Sequence, residues 1–306
     1  MPPSSLMGSL AVAGAAVATT LSLQWLWARA TARVRRGRKG YSSIDAAKDA
    51  EVVKGVIPDA YEGTALATLR HDYCVSHSSP LSPLLQTVAQ ETQRQLRLPQ
   101  MLSSPLTVQL LQTLIRASGA RRILEIGTYT GFTALGMAEI LKEGMEVVCL
   151  DDFSDEAQAE ALCHQMLSAG GAAGARIQLR RQAALQGLRE LSEAVEAGEQ
   201  PFDLCFIDAD KENQVAYVEE LFGAQRSRPL LADDGLIVVD NTLWYSRVLR
   251  PSHRHDTSTA AVVQFNEHVL QSGRWHVTML PVRDGITILQ RAQRLTKMWA
   301  QGSHRP

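Results

Sequence analysis

Two short runs deliver acids, an amide and an ammonium to places where a buried strand would end. In FDLCFIDADKENQ (202–214) an apolar run gives way to Asp208, Asp210 and Lys211, and in VVDNTLW (238–244) a second gives way to Asp240 and Asn241. An unpaired charge is costly to bury, so these groups belong at strand ends, facing a ligand or water. Asp208, Asp240 and Asn241 offer three hard oxygen donors, a set that suits Mg²⁺ first, with Mn²⁺ or Ca²⁺ as alternatives. Zinc would ask for His and Cys, which neither strand end supplies. A neighbouring cation and partial burial would both disfavour the ammonium form of Lys211 and make its amine a useful base. Alone, Asp-Asn after a strand is a turn and Lys211 a surface lysine at a helix start. Two acidic strand ends together argue for a site.

A third run, LEIGTYTGFTAL (124–135), sets a glycine turn after a strand-like stretch. A dinucleotide loop would read GxGxxG; here Gly127 and Gly131 stand four apart, and Glu125 before the turn would oppose a pyrophosphate. Glu125 suits instead the cationic sulfonium and amino group of S-adenosylmethionine. A carboxylate at the end of the next strand commonly holds ribose hydroxyls. Asp151 is the choice for that role and Asp152 the alternative, while the plain reading makes one of them a helix cap. HRHD (253–256) has no further ligands at regular spacing and reads as a solvated or substrate-facing loop.

The elements that must position these groups alternate along the chain. Strand-like runs fall at 122–127, 146–151, 176–180, 202–208 and 236–241, with helical stretches near 131–142, 155–169, 182–197 and 211–224. Helical spacing also marks SPLLQTVAQETQRQLRL, SPLTVQLLQTLIRAS and about 257–271, and WHVTMLP and GITILQR close the pattern as two strands. The expected fold class is α/β: a Rossmann-like, doubly wound, mostly parallel seven-stranded sheet with helices on both faces and an antiparallel C-terminal strand pair. Ligands of such folds bind outside the carboxyl ends of the strands, where these acids collect.

Composition sets further bounds. The 306-residue chain is 45% hydrophobic and 21% charged with a net charge of −1. Residues 1–40 hold no acid and six of the 31 bases, which leaves 25 bases against 32 acids in the rest. An acidic body argues against a nucleic-acid partner. Four cysteines without CxxC spacing read as reduced core thiols. Leu6 to Ala28 is uncharged, ends in Trp25 and Trp27 and is followed by RATARVRRGRK. That pattern predicts a single N-terminal membrane anchor with the remaining chain on the cytosolic side; mitochondrial targeting and a cleaved signal are the alternatives. The expected divisions are 1–40 anchor and basic flank, 41–80 linker and leading segment, 81–292 catalytic domain and 293–306 tail.

The text from MLSSPLTVQLL through LEIGTYTGFTAL, FIDADKENQ and VVDNTLW to LPVRDGITIL resembles the cation-dependent caffeoyl-CoA O-methyltransferases, which are similar in fold and chemistry to catechol O-methyltransferases. The resemblance implies metal ligation by Asp208, Asp240 and Asn241, and methyl-donor contacts from Ser103, Glu125, Gly127, Thr128, Thr133, Asp151, Ala184 and Asp210. Lys211 falls where the catechol enzymes carry their catalytic lysine. It allows a homodimer. Two departures bear on the acceptor. TSTAAVVQFNEHV replaces a Tyr- and Arg-rich helix associated with the coenzyme A ester, and Arg283 stands where a glycine is usual. The expected substrate is therefore a smaller aromatic vicinal diol, with a coenzyme A thioester as the alternative. Two other classes compete: a nucleotide-dependent oxidoreductase, disfavoured by Glu125, and a tethered binding protein that keeps the fold without catalysis.

Overall fold

The computed structural model describes residues 63–154, 156–224 and 226–292. The chain divides into two units, Met1–Cys74 and Val75–Pro306. In the first, the described residues belong to helix α1 (Gly63–Ser76), where the sequence suggests linker and leading segment. The apolar stretch 6–28, most of the expected linker and the 293–306 tail lie outside the described residues. The expected membrane-anchored localisation is corrected: among the described residues no helix is long and apolar enough to cross a membrane.

The second unit starts with two helices whose entries are written in sequence. α2 (Pro83–Gln95) and α3 (Pro105–Ser118) each begin with Ser-Pro. The Ser82 and Ser104 hydroxyls accept from the amides of Leu85 and Leu106, at 3.2 and 3.1 Å, and proline occupies the first turn, where no amide is needed. α3 ends at Gly119, whose φ of 72° suits a left-handed cap. There follow β1 (Arg122–Ile126), α4 (Phe132–Ala138), β2 (Glu146–Asp151), α5 (Ala157–Ala169), β3 (Ile177–Arg181), α6 (Ala184–Glu196), β4 (Phe202–Ile207), α7 (Gln214–Phe222), β5 (Leu231–Asp240), α8 (Thr257–Gln271), β6 (Trp275–Leu280) and β7 (Ile286–Arg291).

The strands form one seven-stranded sheet in the order β3-β2-β1-β4-β5-β7-β6. β1 to β5 pair in parallel, and β7 runs antiparallel between β5 and β6. Both faces of the central strands are covered, so these strands read as unbroken apolar runs. One core packs Leu85, Val108, Leu111 and Leu135 against Ile123, Cys149 and Phe206. The other packs Leu188, Val218 and Phe265 against Leu124, Val148 and Ile237. β5 begins at Leu231, earlier than the apolar run suggests, because its pairing with β4 shifts register between Phe202 and Leu204 around the exposed Asp233 and Asp234.

The chain winds outward through β1, β2 and β3, then returns to lay β4 on the other side of β1. That reversal opens a crevice at the carboxyl ends of β1 and β4, and the sequence-predicted acids surround it.

Candidate active site

The sheet ladder is carried past the strand ends into the site. Gly127 N–H donates to the Leu150 carbonyl at 2.9 Å, and Asp208 N–H to that of Ile126 at 2.8 Å. Gly127 has a φ of 89°, and a β-carbon there would lie 2.3 Å from the Asp208 carbonyl oxygen. Only glycine lets the β1 turn pass so close to the end of β4. The turn is then pinned from β2. One Asp151 oxygen accepts from the amides of Thr128 (2.7 Å) and Tyr129 (2.8 Å), and the other from Phe153 (2.7 Å). Asp152 is exposed and accepts only locally, from Ser154 at 2.9 Å. Of the two acids, Asp151 is the one built into the turn.

Glu125 is fully buried on β1. Its Oε2 lies 3.3 Å from the Cys149 thiol, and its Oε1 has no hydrogen-bond partner. Burial pushes its carboxyl up to about 8, against the opposing influence of Thr128 and Cys149 and with a further push from Asp151 and Asp208. An orphaned carboxyl oxygen in a dry strand end calls for a cationic or donor partner, which the sulfonium and amine of a methyl donor would supply. Thr128 and Thr133 are buried beside this turn, and Ala184 opens α6 next to it, where Gln182 N–H reaches the Asp151 carbonyl at 3.0 Å.

The second group lies at the ends of β4 and β5. Asp240 is buried, and its Oδ1 accepts from the Asn241 amide at 2.7 Å. Burial and then the neighbouring Asp208 push its carboxyl up to about 7, opposed by Arg283, Asn241 and Lys211. Two carboxylates in mutual repulsion, one of them dry, make a place where a divalent cation would neutralise both. Asn241 follows with a φ of 63°. Among the described residues no group of three or more His, Cys, Asp or Glu side chains could hold a metal ion; the set here is two aspartates and an amide, all oxygen donors.

Lys211 is buried in the middle of the β4–α7 connection. Its Nζ donates to the Ala209 carbonyl at 2.6 Å, lies 3.6 Å from Asp208 Oδ1, and stands 5.6 Å from the centre of the Trp244 ring. Asp210 is exposed and engaged with α7, accepting from Asn213 Nδ2 at 2.7 Å and from the Tyr217 hydroxyl.

Sequence reasoning missed several groups that complete the site. Asp284 is pushed up to about 6 by burial, with Lys211 and Asp208 in electrostatic reach. It braces the turn after Asn241: its carboxylate accepts from the Tyr245 amide and its carbonyl from Leu243, at 2.8 Å for the latter. The signal available was the Asp-Gly of RDGIT, a turn dipeptide. The stretch before α3 is held from several sides. Glu156 accepts from the amides of Arg97 (2.8 Å) and Leu98 (3.2 Å), the Tyr129 hydroxyl lies 3.2 Å from the Leu98 carbonyl, and the Ser103 hydroxyl donates to Asp208 Oδ2 at 3.0 Å. No local pattern announces contacts between such distant parts of the chain. The HRHD stretch behaves as expected of a loop: His255 is exposed, and Asp256 caps α8 by accepting from the Thr259 amide at 3.0 Å.

Other chains resemble this one in sequence and in fold. Residues 75–292 match the model of the O-methyltransferase family. The mouse catechol O-methyltransferase domain-containing protein 1 is 35% identical over 217 residues, which cover 71% of this chain and 77% of that protein. Caffeoyl-CoA O-methyltransferase 1 of Zea mays is 32% identical over 193 residues, 60% of this chain and 69% of the relative. Among solved structures, the O-methyltransferase TomG of Streptomyces achromogenes, involved in tomaymycin synthesis and determined with S-adenosylmethionine, superposes with a TM-score of 0.63. It shares 26% identity, over 73% of this chain and 96% of its own.

Proposed function

The chain belongs to the O-methyltransferase family and uses S-adenosylmethionine, and from that premise we propose that it methylates one hydroxyl of an aromatic vicinal diol with the help of a divalent cation. The observation that carries this reading is the convergence of Asp208, Asp240, Asn241 and Lys211 at the carboxyl ends of two adjacent parallel strands. When bound, the donor supplies an electrophilic sulfonium methyl, and the cation supplies a Lewis acid able to hold both hydroxyls and acidify them.

The chain's own residues do the rest. Glu125, Gly127, Thr128 and Asp151 shape the donor side, with Ser103, Thr133, Ala184 and Asp210 as its further contacts. Asp208, Asp240 and Asn241 would hold the cation. As the methyl passes from sulfur to oxygen, the attacking hydroxyl must lose its proton, and Lys211 Nζ is the group placed to accept or relay it.

The test is transfer of labelled methyl from S-adenosylmethionine to a panel of catechols, with Mg²⁺ and then with EDTA. Transfer that disappears on chelation is the expected result. Transfer indifferent to EDTA would remove the cation from the reading. Donor binding with no catechol methylated would remove the diol.

A further inference from the structure

Arg283, in the loop between β6 and β7, reaches across the fold to the stretch before α3. Its Nη1 donates to the Leu102 carbonyl at 2.6 Å and its Nη2 to the Gln100 carbonyl at 3.2 Å. Its φ of 49° lies in the left-handed region that favours glycine, so the chain keeps a long side chain where its backbone would be easier without one. The stretch it grips is fastened at the other end by Glu156 and Tyr129, from the donor side. Just beyond the gripped carbonyls Ser103 donates to Asp208. Residues 97–103 therefore run from the glycine turn of β1, past the β6–β7 loop, to the end of β4. Leu102 and Ser103 are buried beneath, and Met101 is exposed.

We propose that Arg283 is a positioning residue: its guanidinium latches the 97–103 segment as a roof over the acceptor side of the crevice and so restricts the size of acceptor admitted. The fork of the guanidinium suits the task, since it offers two donors in a fixed plane to two carbonyls, which an ammonium cannot. Its charge also lies in electrostatic reach of Asp240 and Asp284, which holds it over the site. Only the acceptor-size part rests on the diol reading above; the latch itself does not.

The test uses the full chain and two variants. R283G removes the side chain where glycine relieves the backbone, and R283K keeps the charge without the fork. Hydrogen exchange should rise in peptides covering 97–103 by about tenfold or more in R283G, less in R283K, and not in the central strands. Calorimetric affinity for S-adenosylhomocysteine should fall by no more than a few-fold, since Ser103 is the one donor contact in the loosened segment. KM for unsubstituted catechol should rise more than kcat falls, and the ratio of kcat/KM for a bulky 4-substituted catechol over catechol should increase. Unchanged exchange in 97–103, or an equal rise throughout the sheet, would overturn the latch. An unchanged size preference with a loosened roof would overturn its part in selectivity. If the wild type methylates no catechol, the diol reading fails, and the exchange result still decides the latch.

Discussion

Gly127 and Asp208 touch through their backbones: a β-carbon on Gly127 would sit 2.3 Å from the Asp208 carbonyl oxygen and 2.7 Å from its carbon. The glycine turn of β1 and the first candidate cation ligand are thus set against each other with no side chain between them. Gly127→Ala must either push β1 and β4 apart or rotate the turn, and its positive φ adds strain. We expect a loss of about 2–4 kcal/mol in denaturant unfolding, together with loss of turnover. A stable, active variant would mean that this contact does not set the site.

Asp240 should cost stability in exchange for its proposed ligand role. Its folded carboxyl titrates at about 7 against an ordinary 3.8. The folded state therefore holds the proton longer than the unfolded chain between those values. Its favourable contribution is complete below about 3.8 and is lost as pH rises through about 7. Without added cation, Asp240→Asn should raise Tm at pH 8 by roughly 3 °C or more, and much less at pH 5. The same variant should lose cation-dependent turnover by at least about 100-fold. Equal Tm gains at both pH values would contradict the assignment.

Glu125 makes a prediction of opposite sense for the donor. Burial holds its carboxyl at about 8, so near neutral pH the ligand-free protein keeps it mostly protonated, whereas a sulfonium favours the carboxylate. Affinity for S-adenosylmethionine should climb as pH rises from 6.5 towards 8 and then level off, with protons released on binding. Calorimetry in buffers of differing ionisation enthalpy measures this. Glu125→Gln should flatten the pH dependence and weaken binding by about tenfold or more.

The sheet was legible because parallel strands covered on both faces must be apolar runs, and the candidate site was legible because Asp151, Asp208 and Asp240 interrupt those runs at their ends. The order of the last two strands was not: WHVTMLP and GITILQR look alike locally, and only packing inserts β7 beside β5. The early start of β5 was hidden by ADDG, which reads as a turn but is the stretch over which the pairing with β4 shifts register. Arg283, Glu156 and Tyr129 were illegible for another reason. Their partners are main-chain groups of the 97–103 segment, and a backbone carbonyl leaves no mark in a sequence. The local Asp-Gly turn gave a hint of Asp284, but not of its closeness to Lys211 and Asp208.

Lys211 offers the last prediction. Its Nζ is fixed by the Ala209 carbonyl and stands 3.6 Å from Asp208, close to where the acceptor hydroxyl must lie if Asp208 holds the cation. Lys211→Met keeps the apolar stem, so S-adenosylhomocysteine affinity should stay within a few-fold while kcat falls by about 10²–10⁴. A structural defect alone could also lower kcat, so the acceptor's own acidity supplies the control. If Lys211 takes the hydroxyl proton, the loss should shrink with an electron-poor nitrocatechol, whose hydroxyl ionises without help, and be largest with an electron-rich catechol. A loss of the same size for both would leave Lys211 as a scaffold of the site and assign the proton to another base.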